Sequence, residues 1–132
     1  MGIFIAITTG LISGIAIGYI TEHYTGTGTK PVIGIVIVAH GGLAQEYRAA
    51  VEHVVGPQPG MISIAIGPDD DRAAKQTEIC DAADAVDTGD GVVIVTDMFG
   101  GSPTNLSLRA CSPENRRILY GANLPMLIKL AK

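Results

Sequence analysis

Apolar residues in this chain are grouped into short runs whose lengths suit β-strands. Four runs rich in apolar residues occupy 32–39, 61–66, 91–96 and 117–120, and each is followed by a glycine or a polar residue. Apolar runs with little polar alternation are typical of strands that are buried on both faces of a parallel sheet. The pattern therefore predicts four buried strands.

The stretches between these runs show helical spacing instead. Helices are predicted over 43–55, from Asp69-Asp70-Asp71 to about Val86, from Ser102-Pro103 with the serine as N-cap, and from Asn123 onward. Strands that are joined by helices of this length must run parallel. The predicted fold class is therefore α/β, a doubly wound sheet of about four parallel strands flanked by helices.

The first part of the chain has a different character. Residues 3–20 carry no charge, and Gly10, Gly14 and Gly18 recur at every fourth position. As a helix this run would be about 27 Å long, which is enough to cross a bilayer core, and such a glycine stripe lets membrane helices approach closely. The pattern favours an extra apolar helix-like segment with possible membrane association through 3–20, and a buried strand or helix of a soluble fold is the alternative. Residues 25–31 read as a linker, so the chain divides into 1–31 and 32–132.

Charge and cysteine content narrow the function classes. The chain has 132 residues, a net charge of −4 and no cluster of lysine or arginine, which argues against a nucleic-acid partner. Cys80 and Cys111 show neither metal-ligand spacing nor a disulfide framework, so a reduced, cytoplasmic location is expected. The run Asp69-Asp70-Asp71 is explained more simply by helix capping than by a metal site. No metal and no cofactor are predicted.

Two of the predicted strands are each followed directly by a residue whose side chain can take part in catalysis. His40 directly follows the run at 32–39 and precedes Gly41-Gly42, and Asp97 directly follows the run at 91–96. In an open α/β sheet, ligands bind at the carboxyl ends of the strands. A carboxylate on one ring nitrogen of a histidine fixes its tautomer and stabilises the cation that forms when the other nitrogen attacks. His40 and Asp97 are therefore the predicted catalytic pair.

A glycine-rich turn follows Asp97 and suits a phosphate. Backbone N–H groups of Gly100, Gly101 and Ser102 can form an anion site, to which Ser102 can add its hydroxyl. Gly41 would let the backbone approach from the other side. A phosphoryl-transfer site needs mainly such positioning and charge stabilisation. A Ser-His-Asp hydrolase that uses Ser102, His40 and Asp97 is the alternative, although the chain has no Gly-x-Ser-x-Gly elbow.

At these residues the sequence resembles a known family. The pieces IVIVAHG at 35–41, GVVIVTDMFGGSPTN at 91–105 and GANLPML at 121–127 resemble the IIA domain of the mannose/fructose-type bacterial sugar phosphotransferase system. The resemblance implies a phosphotransferase in which His40 takes a phosphoryl group from the carrier protein HPr and passes it to a IIB component. It also implies that Asp97 orients His40 and that Ser102 contacts the phosphate.

The resemblance carries further expectations about the whole protein. Members of the family form homodimers through an exchanged edge strand that lies beyond the position of Lys132. The sugar is set by membrane components, and some members act without a full transporter, so a membrane-tethered regulatory module is the other alternative. Separately, residues 1–31 resemble a fragment of the membrane-bound proton-pumping pyrophosphatases, with 18–27 and 30–32 matching a membrane helix and its exit loop; the acidic motifs of those pumps are absent here. For residues 1–31 a fusion, a tether and an assembly artefact all stay open.

Overall fold

The computed structural model describes residues 4–6, 32–111 and 114–131. The strands are β1 (Phe4–Ala6), β2 (Gly34–His40), β3 (Met61–Ile66), β4 (Val92–Thr96) and β5 (Arg116–Tyr120). The helices are α1 (Leu43–Val55), α2 (Arg72–Val86), α3 (Ser102–Ser107) and α4 (Leu124–Ala131), and a 3₁₀ turn at Leu108–Cys111 follows α3. The four strands and four helices expected from the sequence are all present, with bounds within a few residues of the prediction.

The strands form one parallel sheet in the order β1-β5-β4-β2-β3. Apolar side chains cover both of its faces. One cluster packs α1 and α4 against the sheet, and the other packs α2 and α3 against the opposite face. The doubly wound α/β architecture is therefore confirmed, and it buries β2 and β4 from both sides as their unbroken apolar runs require.

The strand order of the sheet reverses between β2 and β4, which are neighbours in the sheet. From β2 it moves outward to β3, then returns to place β4 on the other side of β2. The register pairs Ile35 with Val93 and Val38 with Thr96, so β2 extends two residues past the end of β4, as far as His40. Such a switch in strand order opens a crevice at the carboxyl ends of the strands, and this crevice is where the sequence placed its candidate residues.

The expectation of a helix-like segment over 3–20 is wrong at residues 4–6, where the alternative of a strand applies. Phe4–Ala6, inside the predicted helix at 3–20, is a strand that pairs in parallel with β5. Residues 7–31, which include the rest of the apolar run and the predicted linker, lie outside the described residues. No helix in the described part of the chain is long and apolar enough to cross a membrane.

The helix starts also differ in one respect from the prediction. Asp71 caps α2, because its carboxylate accepts from the backbone N–H groups of Ala73 and Ala74 at 2.9 and 3.3 Å. The capping role expected for the acidic run is thus confirmed. Ser102 is not an N-cap, however. Gly101 occupies the N-cap position of α3, and Ser102 is the first helical residue.

Candidate functional site

The site is built on the ends of the two adjacent strands β2 and β4. His40 is the last residue of β2, and Asp97 follows the last residue of β4. The Asp97 Oδ2 atom accepts two hydrogen bonds from His40, one from the backbone N–H at 3.0 Å and one at 2.7 Å from ring atom Nδ1. The sequence therefore predicted correctly that these two residues would meet.

This pairing decides which ring nitrogen is available. Because a carboxylate oxygen only accepts, Nδ1 carries the proton, and in the neutral ring the lone pair lies on Nε2. Within the described part of the chain no hydrogen-bond partner reaches Nε2. The His40 side chain is 46% exposed, whereas that of Asp97 is only 10% exposed. The arrangement presents a nucleophilic nitrogen to solvent next to a carboxylate that is itself mostly shielded from solvent.

The glycine turn after Asp97 packs directly against the imidazole. A methyl group on Gly101 would lie 3.0 Å from Cε1 of His40, so a side chain at this position would crowd the ring. Gly100 has a φ of 81° and Gly41 a φ of 55°, a region that favours glycine. In the described residues the N–H groups of Gly100, Gly101 and Ser102 donate to no protein acceptor, so they are available to a ligand.

Two threonines hold this turn in place. The hydroxyl of Thr104 on α3 donates to the carbonyl of Met98 at 2.8 Å and lies 3.1 Å from the hydroxyl of Thr96. Both threonines are buried. These bonds tie the turn to the end of β4 and to α3, and therefore fix the position of the glycines relative to His40.

A cleft of about 370 Å³ opens beside His40. It is bounded by the ends of β2 and β3, the loop between β3 and α2, and one side of α3. Its lining residues are His40, Gly41, Ile66, Gly67, Pro68, Asp70, Arg72, Ser102 and Leu106. Of the predicted site residues, His40, Gly41 and Ser102 line this cleft, Asp97 and Gly101 contact His40 from the side, and Gly100 lies in the adjoining turn.

The geometry does not favour the hydrolase alternative. A nucleophilic serine needs a hydrogen bond from its hydroxyl to the base. In the described structure no hydrogen bond joins Ser102 to either ring nitrogen of His40. Ser102 instead lies on the wall of the cleft, where its hydroxyl can face a group bound to His40.

Sequence reasoning missed the loop between β3 and α2, which supplies three lining residues and is flanked by two more, Ile66 and Arg72. The rule that selected His40 and Asp97, namely that the carboxyl ends of parallel strands carry the site, applies equally to Ile66 at the end of β3. It also missed two exposed apolar side chains beside the site. Met98 is 53% and Phe99 is 66% exposed, although the Phe99 ring packs edge-on against Tyr120 at 4.8 Å between centroids.

Comparison with known proteins places this geometry in a family. The family model for the PTS system fructose IIA component (EIIA-man) matches residues 34–132. The chain belongs to this family. Residues 34–132 are therefore a IIA domain of the type found in sugar phosphotransferase systems. The match begins at residue 34, so it lends no support to the second resemblance, of residues 1–31 to a pyrophosphatase.

Individual relatives agree with this assignment. The mannose-specific EIIAB component of Escherichia coli (strain K12) is 30% identical over 98 residues, which cover 74% of this chain and 30% of that protein. The sorbose-specific EIIA component of Lacticaseibacillus casei is 29% identical over 74% of this chain and 70% of its own length. This chain thus spans less than a third of the EIIAB relative.

Solved structures share the fold. The crystal structure of the PTS IIA protein associated with the fucose utilization operon from Streptococcus pneumoniae has a TM-score of 0.69 and 26% identity, covering 74% of this chain and 75% of that one. The mannose/sorbose-specific IIA subunit from Enterococcus faecalis has a TM-score of 0.67 at 23% identity, covering 78% and 76%. The predicted IIA-type fold is confirmed.

Proposed function

We propose that this chain is a phosphohistidine carrier, in which Nε2 of His40 accepts a phosphoryl group from HPr and donates it to a IIB component. The observation that carries the proposal is the 2.7 Å hydrogen bond from Nδ1 of His40 to Asp97. It leaves Nε2 as the reactive nitrogen, on a half-exposed side chain at the mouth of the cleft. Family membership supplies the phosphoryl chemistry, and the geometry supports His40 as its site.

The transfer can proceed without a separate proton carrier. The lone pair of Nε2 forms the new N–P bond, while the bond between phosphorus and the nitrogen of the donor histidine breaks and returns its electron pair to the donor. The proton on Nδ1 of His40 stays in place throughout. The phosphorylated ring is then cationic, and the Asp97 carboxylate stabilises that charge. The reverse steps pass the group to IIB.

The phosphate oxygens need donors once the group is on His40. The free N–H groups of Gly100, Gly101 and Ser102 and the Ser102 hydroxyl adjoin the ring on one side, and Gly41 borders the cleft on the other. Phosphoryl transfer depends mainly on such preorganised donors. We assign phosphate binding to these four residues and place both the transfer and the protein in the cytoplasm.

The rim of the site suits protein partners. Both partners must bring a phosphorylated or phosphate-accepting side chain to His40, so they must contact the surface around it. Met98 and Phe99 present apolar area there, and exposed apolar groups beside a polar site are typical of protein-interaction surfaces. Neither a metal nor nucleic acid has a part in this proposal. The homodimer that the resemblance implies for the family depends on an edge strand beyond Lys132 and is not part of this proposal, and the sugar is set by other components.

Phosphoenolpyruvate, enzyme I and HPr provide the test. The full chain, incubated with all three and labelled phosphoenolpyruvate, should gain an acid-labile phosphoryl group, and His40→Ala should abolish the label. His53→Ala is a matched control, because His53 is an exposed histidine on α1 away from the cleft. The label should then pass to a purified IIB component. An unlabelled chain, or label that survives in His40→Ala, would contradict the proposal.

A further inference from the structure

The loop between β3 and α2 places one arginine on the wall of the cleft. The Asp70 carboxylate accepts from the backbone N–H of Gly67 at 2.6 Å and thereby closes the loop on itself. Asp71 then caps α2, so that Arg72 occupies the first helical position. Arg72 lines the same cleft as His40 and Ser102. Asp70 and Asp71 thus fix the loop and the helix start so that the cationic Arg72 lines the cleft of the proposed phosphoryl site.

The two fully charged side chains that line the cleft, Asp70 and Arg72, differ in whether they have partners. Asp70 is satisfied by Gly67 and lies 3.9 Å from the ammonium group of Lys75, which also pairs with Glu78 at 3.0 Å. Arg72, in contrast, makes no ion pair and no hydrogen bond from its side chain within the described part of the chain. It is an exposed guanidinium group with all its donors available, on the wall of a cleft whose other charged lining residue is an aspartate.

We propose that Arg72 binds the phosphoryl group on His40, donating hydrogen bonds from its guanidinium group to the phosphate oxygens. The inference rests on the proposed function, since it needs a phosphoryl group on Nε2. The phosphoryl group on His40 would carry roughly two negative charges into the cleft that Asp70 also lines. The Asp70 carboxylate would repel these charges, and a cation in the same cleft offsets that repulsion. The planar guanidinium group can meet two phosphate oxygens at once, which an ammonium group cannot do.

Arg72→Gln is the direct test. The variant keeps a polar side chain at an exposed position, so folding and the melting temperature should be unchanged. In the labelling assay the equilibrium between phosphorylated HPr and this chain should shift toward HPr by about tenfold, the usual scale of one charge-assisted hydrogen bond. The shift should shrink at high salt, because salt screens the interaction of an exposed cation with the phosphate.

Two further variants distinguish phosphate binding by Arg72 from an effect of the net charge of the protein. Arg109→Gln removes the same charge from an exposed arginine that lines a different cleft, formed by Gln76, Thr77 and Cys80, and should leave the equilibrium unchanged. Arg72→Lys should restore part of the lost phosphorylation, because it keeps the charge but not the paired donors. A purely structural role for Arg72 would move neither the equilibrium nor its salt dependence.

The outcomes distinguish this inference from the function on which it rests. If the unaltered chain gains no label at His40, the proposed function fails. If the unaltered chain is labelled and Arg72→Gln reaches the same equilibrium at low salt, Arg72 does not bind the phosphoryl group. Equal shifts in Arg72→Gln and Arg109→Gln would also overturn the inference, since they would reflect net charge alone.

Discussion

Replacing Asp97 with asparagine tests how this carboxylate prepares His40. In the structure one oxygen, Oδ2, accepts both from the backbone N–H of His40 and from its Nδ1. An asparagine NH₂ group at that position would face the backbone N–H, donor against donor. The asparagine should therefore place its carbonyl oxygen there and keep both hydrogen bonds. We expect Nδ1 to remain protonated and Nε2 to remain the nucleophile.

What the substitution removes is the negative charge. A hydrogen bond to a charged group contributes about 1.5–3 kcal/mol, against about 1 kcal/mol for a neutral pair. The difference, about 0.5–2 kcal/mol, applies once the phosphorylated ring is cationic, and it corresponds to a rate reduction of about 2- to 30-fold. Asp97→Ala also removes the acceptor for the backbone N–H and leaves the ring unoriented, so it should be slower by about another tenfold.

The assay is the initial rate of label transfer from phosphorylated HPr, with ¹⁵N spectra of the imidazole to identify which nitrogen carries the proton. Asp97→Asn should be impaired, but much less than His40→Ala, with an unchanged tautomer. Activity equal to that of the unaltered chain would show that the charge contributes nothing. Complete inactivity with the proton on Nε2 would show that the amide had turned, and would refute the argument from the shared oxygen.

Other predictions follow from steric fit and from burial. Gly101→Ala adds a methyl group 3.0 Å from Cε1 of His40, so labelling of His40 should be slower while the melting temperature stays nearly the same. Gly34→Ala places a methyl group 2.3 Å from the carbonyl oxygen of Val86, and this overpacking should lower the free energy of unfolding in urea by roughly 1–3 kcal/mol or more. Burial raises the pKa of the Cys111 thiol from about 9 to about 11. Because the thiolate is then disfavoured in the folded state, the free energy of unfolding should fall as the pH rises from 9 to 11.

Each of these has a control. Gly42→Ala and Gly60→Ala add methyl groups with no atom within 4 Å. Gly42→Ala should therefore leave labelling unaffected, and Gly60→Ala should leave stability unaffected. The pH dependence between 9 and 11 should weaken in Cys111→Ala, whatever the stability of that variant at neutral pH. Normal labelling in Gly101→Ala, unchanged stability in Gly34→Ala or an unaltered slope in Cys111→Ala would contradict the respective argument.

The parts of the fold that were readable from the sequence are those where one local signal dominates. The apolar runs of β2 and β4 predicted buried parallel strands, and the helix over 43–55 was predicted with the bounds observed. Ser102 was misplaced by one position because both glycine and serine are accepted as N-caps, and only the backbone geometry chooses between them. At Phe4–Ala6 the apolar content fits a strand as well as a helix, and pairing with β5 is a long-range contact that periodicity does not report.

The residues of the candidate site likewise fall into those that the sequence pattern identified and one that it did not. His40 and Asp97 were recognisable because each follows its strand directly, and adjacent parallel strands bring such positions together. Arg72 was not, because it lies six residues beyond the end of β3 and enters the cleft only through the loop that Asp70 closes. A side chain placed by a loop depends on contacts such as the one between Asp70 and Gly67, for which the sequence pattern has no periodic signal.

The shared oxygen of Asp97 also explains why the site is tied to the sheet. The ladder between β2 and β4 pairs Val38 with Thr96 and then ends, because the chain turns away toward Gly100. The next backbone N–H of β2 that faces β4 is that of His40. It has no ladder partner, and the Asp97 side chain accepts its hydrogen bond instead. The same atom completes the hydrogen bonding of the strand and orients the imidazole. Any change that shifts the register of β2 against β4 must then also displace Nδ1 from its acceptor, so the reactivity of His40 depends on the pairing of these strands.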